Sequence, residues 1–151
     1  MLQDRETIIL YTTAICNLNC TYCFIDKNPT LKKIDQWLDD SFLKTPEYYF
    51  DYAKKAVLQE NLKEVQIWGG EPFLGMHRAY HTIDNFINYF PNLKDFMTST
   101  NFVSHCFFEE FYGLLDIFRK HPNRKFIYSL QLSLDGIKEI NDTNRGIGVT
   151  D

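Results

Sequence analysis

Apolar positions along this chain recur with two different periods, and the alternation of those periods predicts an α/β fold. Short runs rich in β-branched and aromatic residues indicate four strands, at residues 7–12, 64–68, 95–100 and 125–134. Apolar residues at helical spacing predict helices at residues 46–61, 76–90 and 104–121, with a further short helix within residues 25–42. Strands that alternate with helices in this way are typical of βαβ units, so we expect a parallel sheet.

The fourth predicted strand has the clearest alternation of apolar and polar positions. Every second residue from Phe126 to Leu134 is apolar, whereas Ser129, Gln131 and Ser133 face the other way. Apolar residues facing a helical layer, with a polar face behind them, predict a barrel or curved sheet whose inner surface holds a ligand. The alternative is an edge strand with one face in solvent.

The composition of the 151 residues excludes several classes of protein. Aromatic residues make up 16% of the chain, which is not the composition of a disordered protein. The net charge is −4 and the basic residues are dispersed, so we expect no nucleic-acid footprint. The N-terminus lacks the basic and apolar regions of a signal peptide, and no apolar run is as long as a membrane span. We therefore expect a soluble cytoplasmic protein with reduced cysteines.

Three of the four cysteines stand close together, directly after the first predicted strand. Cys16, Cys20 and Cys23 are spaced i, i+4 and i+7, whereas Cys106 opens a distant predicted helix, where we expect a buried thiol. A structural zinc site normally has four protein ligands, while three thiolates on a four-iron cluster leave one iron open to a small molecule. The spacing also fits one face of a helix, although the two intervening asparagines disfavour a helix core. A cluster, a zinc site and core cysteines therefore remain alternatives at this point.

Unusual short motifs follow each of the other predicted strands. The segment 69–72 reads Gly-Gly-Glu-Pro, the segment 99–101 reads Ser-Thr-Asn, and the segment 133–136 reads Ser-Leu-Asp-Gly. The carboxyl ends of parallel strands meet at one edge of the sheet, and parallel α/β folds place their active sites there. We therefore expect these motifs and the cysteines to form one site.

Three of these motifs resemble those of a known family. The segment 16–23 resembles the C-x3-C-x-aromatic-C signature of the radical S-adenosylmethionine (SAM) superfamily, and the segment 69–72 resembles its GGEP motif. The segment 133–145 resembles the S-x-D-G…D-x-x-R stretch of the branch that includes anaerobic sulfatase-maturating enzymes and their SPASM relatives. The resemblance implies a partial TIM barrel, a [4Fe–4S] cluster, and reductive cleavage of SAM to a 5′-deoxyadenosyl radical. It also implies an electron donor such as flavodoxin or ferredoxin, and it favours a peptide among the possible substrates.

The resemblance further implies a role for individual residues. Cys16, Cys20 and Cys23 would ligate three irons, and Tyr22 lies at the adenine side of the motif. The SAM amine would lie against Gly69, Gly70 and Glu71, while its carboxylate would be held by Ser133 and Arg145. Asn101 and Asp135 complete the expected cofactor-binding set. Arginine suits a carboxylate because its planar fork bonds both oxygens at once.

Two departures from the family pattern bear on these expectations. The family's Thr-Asn-Gly after strand three reads Thr100-Asn101-Phe102 here. The sequence also ends after four of the expected six βα units, so residues 1–151 are interpreted as the N-terminal portion of the barrel, with an unpaired edge at strand four. The remaining alternatives are a zinc- or iron–sulfur-binding structural module without turnover, and a truncated relic of the family.

Overall fold

The computed structural model describes residues 5–25, 30, 38 and 47–146, and these residues form an α/β fold with one parallel sheet. The strands are β1 (Thr7–Tyr11), β2 (Glu64–Trp68), β3 (Asp95–Thr100) and β4 (Ile127–Leu132), and they lie side by side in chain order. Every neighbouring pair is parallel. A sheet that adds each new strand on the same side follows the progression of a barrel, as predicted.

Helices follow the strands, and the three described helices that connect consecutive strands cover one face of the sheet. The described helices are α1 (Glu47–Ala56), α2 (Tyr80–Tyr89), α3 (Phe107–Arg119) and α4 (Lys138–Arg145), and two short 3-10 turns, Pro72–Leu74 and Met76–Ala79, precede α2. The predicted short helix within residues 25–42 and the predicted start of α1 lie outside the described residues. Among the described residues, no helix is long and apolar enough to cross a membrane.

The core lies between the helices and one face of the sheet. Alternate residues of β2 and β3 are buried, because the strand period of two turns every second side chain toward the helices. Val65, Ile67 and Phe96 meet Phe86 of α2 and Leu114 of α3 in this core. The opposite face of the sheet remains accessible.

Strand β4 lies at the edge of the sheet, and its apolar residues are only partly covered. Register places Leu130 beside the buried Thr98 and Leu132 beside the buried Thr100, so the leucines do point toward the helical side. Nevertheless Leu130 is 37% exposed, Leu132 51% and Leu134 65%. The predicted alternation is confirmed. Among the described residues β4 has an unpaired edge, as the sequence predicts, and its leucines lack full helical cover there.

Candidate cofactor site

The loops that follow the four strands enclose a cleft of about 220 Å³ at the carboxyl edge of the sheet. Apart from Asp135, all of the predicted site residues line this cleft: Cys16, Cys20, Tyr22, Cys23, Gly69, Gly70, Glu71, Asn101, Ser133 and Arg145. Tyr11 and Trp68 also line it, although neither is among the residues predicted from the sequence. They lie at the ends of β1 and β2, next to the buried Leu10 and Ile67, so the strand period alone would have placed them on the open face.

A second hollow, of about 360 Å³, lies at the opposite edge, where the strands begin. Its lining includes Glu6, Lys63 and Glu64, and Lys63 Nζ pairs with Glu6 Oε1 at 2.5 Å. None of the predicted site residues lines this hollow. The predicted site residues are therefore concentrated at the carboxyl edge.

The cysteine loop, residues 14–25, consists of turns and not of helix. The three thiols are partly exposed, so the interpretation as core cysteines of a helix is wrong. Cys16 Sγ accepts hydrogen bonds from the Leu18 amide at 3.4 Å and from Asn101 Nδ2 at 3.7 Å. Burial raises the pKa of the Cys16 and Cys20 thiols, although the nearby charge of Arg145 opposes the shift at Cys20.

The donor set of this loop fits an iron–sulfur cluster with one open iron. Three soft thiols line one cleft, and Cys106 is not among the residues that line it and is partly exposed rather than buried as expected. Within the part of the chain that the structure describes, no three His, Cys, Asp or Glu side chains are grouped closely enough to hold a metal ion. Binding would therefore require the cysteine loop to draw its sulfurs together.

Gly69 and Gly70 allow the loop after β2 to pack directly against the cysteine loop. A Cβ on Gly69 would lie 2.7 Å from the carbonyl oxygen of Thr13, and a Cβ on Gly70 would collide with the carbonyl oxygen of Ile15. The Gly70 amide donates to Thr13 O at 2.7 Å, and the Glu71 amide donates to Ile15 O at 2.9 Å. The close approach that the glycines permit is therefore, in this structure, an approach between two loops.

Glu71 is buried, and its carboxylate accepts hydrogen bonds from the neighbouring backbone. It is 1% exposed, with the Thr100 hydroxyl and the Asn101 amide both at 2.8 Å and the Phe73 amide at 3.3 Å. Desolvation raises the pKa of Glu71 above its ordinary value, while these hydrogen bonds oppose the shift. Glu71 thus ties the loop after β2 to the end of β3. Its expected contact with an amine stays a prediction.

Asn101 connects the end of β3 to the cysteine loop. Its Nδ2 donates to Asn17 Oδ1 at 2.8 Å, and its Oδ1 accepts the Val103 amide at 2.8 Å. The next residue, Phe102, has a φ of 61°, in the left-handed region that favours glycine. Phenylalanine therefore stands here in the left-handed conformation at the position where the family pattern has glycine.

The last part of the site differs from the expected carboxylate-binding pair. Ser133 and Arg145 both line the cleft, but Arg145 Nε and Nη2 donate to Asp135 Oδ1 at 2.9 and 2.5 Å. The Tyr22 hydroxyl lies 2.7 Å from Asp135 Oδ2. Desolvation acts against ionisation of Asp135, but the hydrogen bonds from Tyr22 and Arg145 outweigh it and lower its pKa. The guanidinium fork is already engaged by a carboxylate of the chain itself.

The sequence of the chain matches one family model and one curated relative, described below. A family model described as the Radical SAM superfamily matches residues 10–104. The radical SAM cyclopropyl synthase TigE of Paramaledivibacter caminithermalis is 30% identical over 93 residues, which cover 57% of this chain and 20% of that protein. The chain therefore corresponds to about a fifth of the length of this relative. No solved structure gives a significant match.

Proposed function

Since the chain belongs to the radical SAM superfamily, we propose that it binds a [4Fe–4S] cluster and SAM in the cleft at the carboxyl edge of its sheet. Proteins of this family carry out SAM-dependent radical chemistry with an iron–sulfur cluster. The observation that supports the proposal best is that Cys16, Cys20 and Cys23 line one cleft together with the Gly-Gly-Glu segment and with Ser133.

The chain's own residues would hold and orient the cofactors. The three thiolates would ligate three irons and leave one iron open to a small molecule. Tyr22, Asn101 and residues 69–71 line the same cleft and would surround the bound cofactors. When bound, the cluster and SAM would supply radical chemistry in this cleft. The protein's part is to position the reacting groups and to exclude water.

Partners and substrate follow from the family chemistry and from the motif at residues 133–145. Reduction of the cluster needs a one-electron donor, for which flavodoxin or ferredoxin is suited. A peptide substrate is favoured because that motif resembles the branch that includes the anaerobic sulfatase-maturating enzymes and their SPASM relatives. Reduced thiols are compatible with the cytoplasm as the site of action.

Anaerobic reconstitution with iron and sulfide tests the cluster. We expect about four irons per wild-type chain, and loss of the cluster in Cys16→Ala, Cys20→Ala and Cys23→Ala. Cys106→Ala is the matched control, and it should retain the iron because Cys106 does not line the cleft. Equal loss of iron in the control would contradict the three-thiolate assignment and favour a closed four-cysteine site.

Two further measurements separate the rival functions. A colourless protein that retains zinc would support a structural module without turnover. A brown protein that binds SAM by calorimetry, but forms no 5′-deoxyadenosine with a chemical reductant, would support a relic that binds without catalysis. Production of 5′-deoxyadenosine that depends on the three cysteines is the result we expect.

A further inference from the structure

The carboxylate of Asp135 joins two side chains from opposite ends of the described chain. It accepts the Tyr22 hydroxyl at 2.9 Å through Oδ1 and at 2.7 Å through Oδ2, and it accepts Arg145 Nε at 2.9 Å. The Arg145 guanidinium carbon lies 5.6 Å from the centre of the Tyr22 ring, within the range of a cation–π contact. We call Tyr22, Asp135 and Arg145 the Asp135 network.

Backbone contacts strengthen the same connection. The Thr21 amide donates to the carbonyl oxygen of Asn144 in α4 at 2.9 Å. The Asp135 amide donates to the side chain of Asn141 at 3.1 Å, and Asn141 is fully buried. The segment between Cys20 and Cys23 is therefore bonded to α4 both through its backbone and through the Tyr22 side chain.

Partial burial makes this network stronger than a surface ion pair. The side chains of Arg145 and Asp135 are only 12% and 15% exposed, and the carboxylate receives charge-assisted hydrogen bonds from the guanidinium. The pairing with Asp135 also holds Arg145 at the cleft wall.

We propose that Asp135, Tyr22 and Arg145 are positioning residues that order the cysteine loop before any cofactor binds. The inference rests on the proposed function in so far as that loop holds the cluster. In this view Arg145 has a task at the cysteine loop that is separate from any contact with SAM. Arg145 as a carboxylate ligand alone predicts effects on SAM affinity only, whereas the Asp135 network predicts effects on the loop when SAM is absent.

Hydrogen exchange of the chain without cofactors tests this directly. The variants are Tyr22→Phe, Asp135→Asn and Arg145→Gln, with Lys138→Ala as the matched control, because the half-exposed Lys138 side chain pairs with Asp142 of the same helix and not with the Asp135 network. We expect the backbone amides of residues 20–23 to exchange about five to ten times faster in the three variants, because each variant loses hydrogen bonds of the Asp135 network. Exchange in the control should match the wild type. Tyr22→Phe removes a single hydroxyl from an exposed side chain, so its folding is not in doubt.

A second readout uses the reconstituted chain in the absence of SAM. The rate at which a chelator removes iron should rise in the three variants and stay unchanged in Lys138→Ala. Arg145→Lys should restore part of the retention, because lysine keeps the positive charge but lacks the planar fork. Wild-type exchange in Tyr22→Phe and Asp135→Asn, or equal acceleration in the control, would overturn the proposal. If the wild type takes up no iron but the exchange pattern is as expected, the proposed function fails and the Asp135 network stands.

Discussion

Phe102 offers a direct test of the loop that carries Asn101 into the site. It has a φ of 61°, and its ring lies 4.5 Å from that of Phe107 and 6.5 Å from that of Phe108, between ring centres. Replacement by alanine or by glycine removes the same ring contacts. The difference between the two variants therefore isolates the energy of the backbone conformation.

The expected magnitudes follow from two opposing effects. An L-residue in the left-handed region costs roughly 1–2 kcal/mol, and glycine escapes this cost but loses more conformational entropy on folding. Phe102→Gly should therefore be about 1 kcal/mol more stable than Phe102→Ala. Loss of the aromatic contacts, worth about 0.5–1.5 kcal/mol, should make the alanine variant the least stable of the three proteins.

Denaturant unfolding of the three proteins without cofactors measures these differences, provided that their m-values agree. The hydrogen bond from Asn101 to Asn17 should survive in the glycine variant, so its cluster uptake should equal that of the wild type. If Phe102→Ala is as stable as Phe102→Gly, the residue is not left-handed in solution, and the account of this loop is wrong.

Two further predictions concern stability. Arg124 donates to the carbonyl oxygens of Phe90 at 3.1 Å and Pro91 at 3.0 Å, and also to those of Ile87 and Leu93. Because Arg124→Met removes these hydrogen bonds, it should lower the free energy of unfolding by about 2 kcal/mol, and Arg124→Lys should recover part of the loss. Burial raises the pKa of Glu71 above the ordinary 4.5, so the folded state holds this proton more tightly than the unfolded state does. Its contribution to stability is therefore fully present below the ordinary pKa and falls as the pH rises through the raised value, and Glu71→Gln should flatten the pH dependence of unfolding in that window.

The sequence predicts the central strands well because local signals there agree with the tertiary structure. β2 and β3 have the predicted bounds, since each combines β-branched or aromatic residues with a Gly or Asn at its end. By contrast, α4 carries no apolar stripe, and its exposed Ile140 and buried Asn141 reverse the usual pattern. Hydrogen bonds connect α4 to Thr21 and Asp135, and hydrophobic periodicity does not detect contacts of this kind.

The motifs indicate which residues share the cleft but not how those residues bond to one another. Their positions at strand ends bring Cys16, Gly70 and Ser133 to one edge, as the sequence predicts. The engagement of Arg145 by Asp135 depends on the geometry of α4, and the engagement of Glu71 depends on the register of β2 against β3. Both are tertiary effects, and no spacing within a motif encodes them.

The cysteine loop is held from three sides, and this has a consequence for how the site works. Its Ile15 carbonyl oxygen accepts the Glu71 amide of the loop after β2, its Asn17 accepts a hydrogen bond from Asn101, and its Tyr22 donates to Asp135. Each attachment comes from the end of a different strand, so the strand ends hold the loop beside the cleft, where its sulfurs still have to draw together to bind a cluster. Motifs far apart in sequence are then linked physically before any cofactor enters. A substitution in any one of these loops is expected to alter the position of the thiols, even where the replaced residue touches neither iron nor SAM.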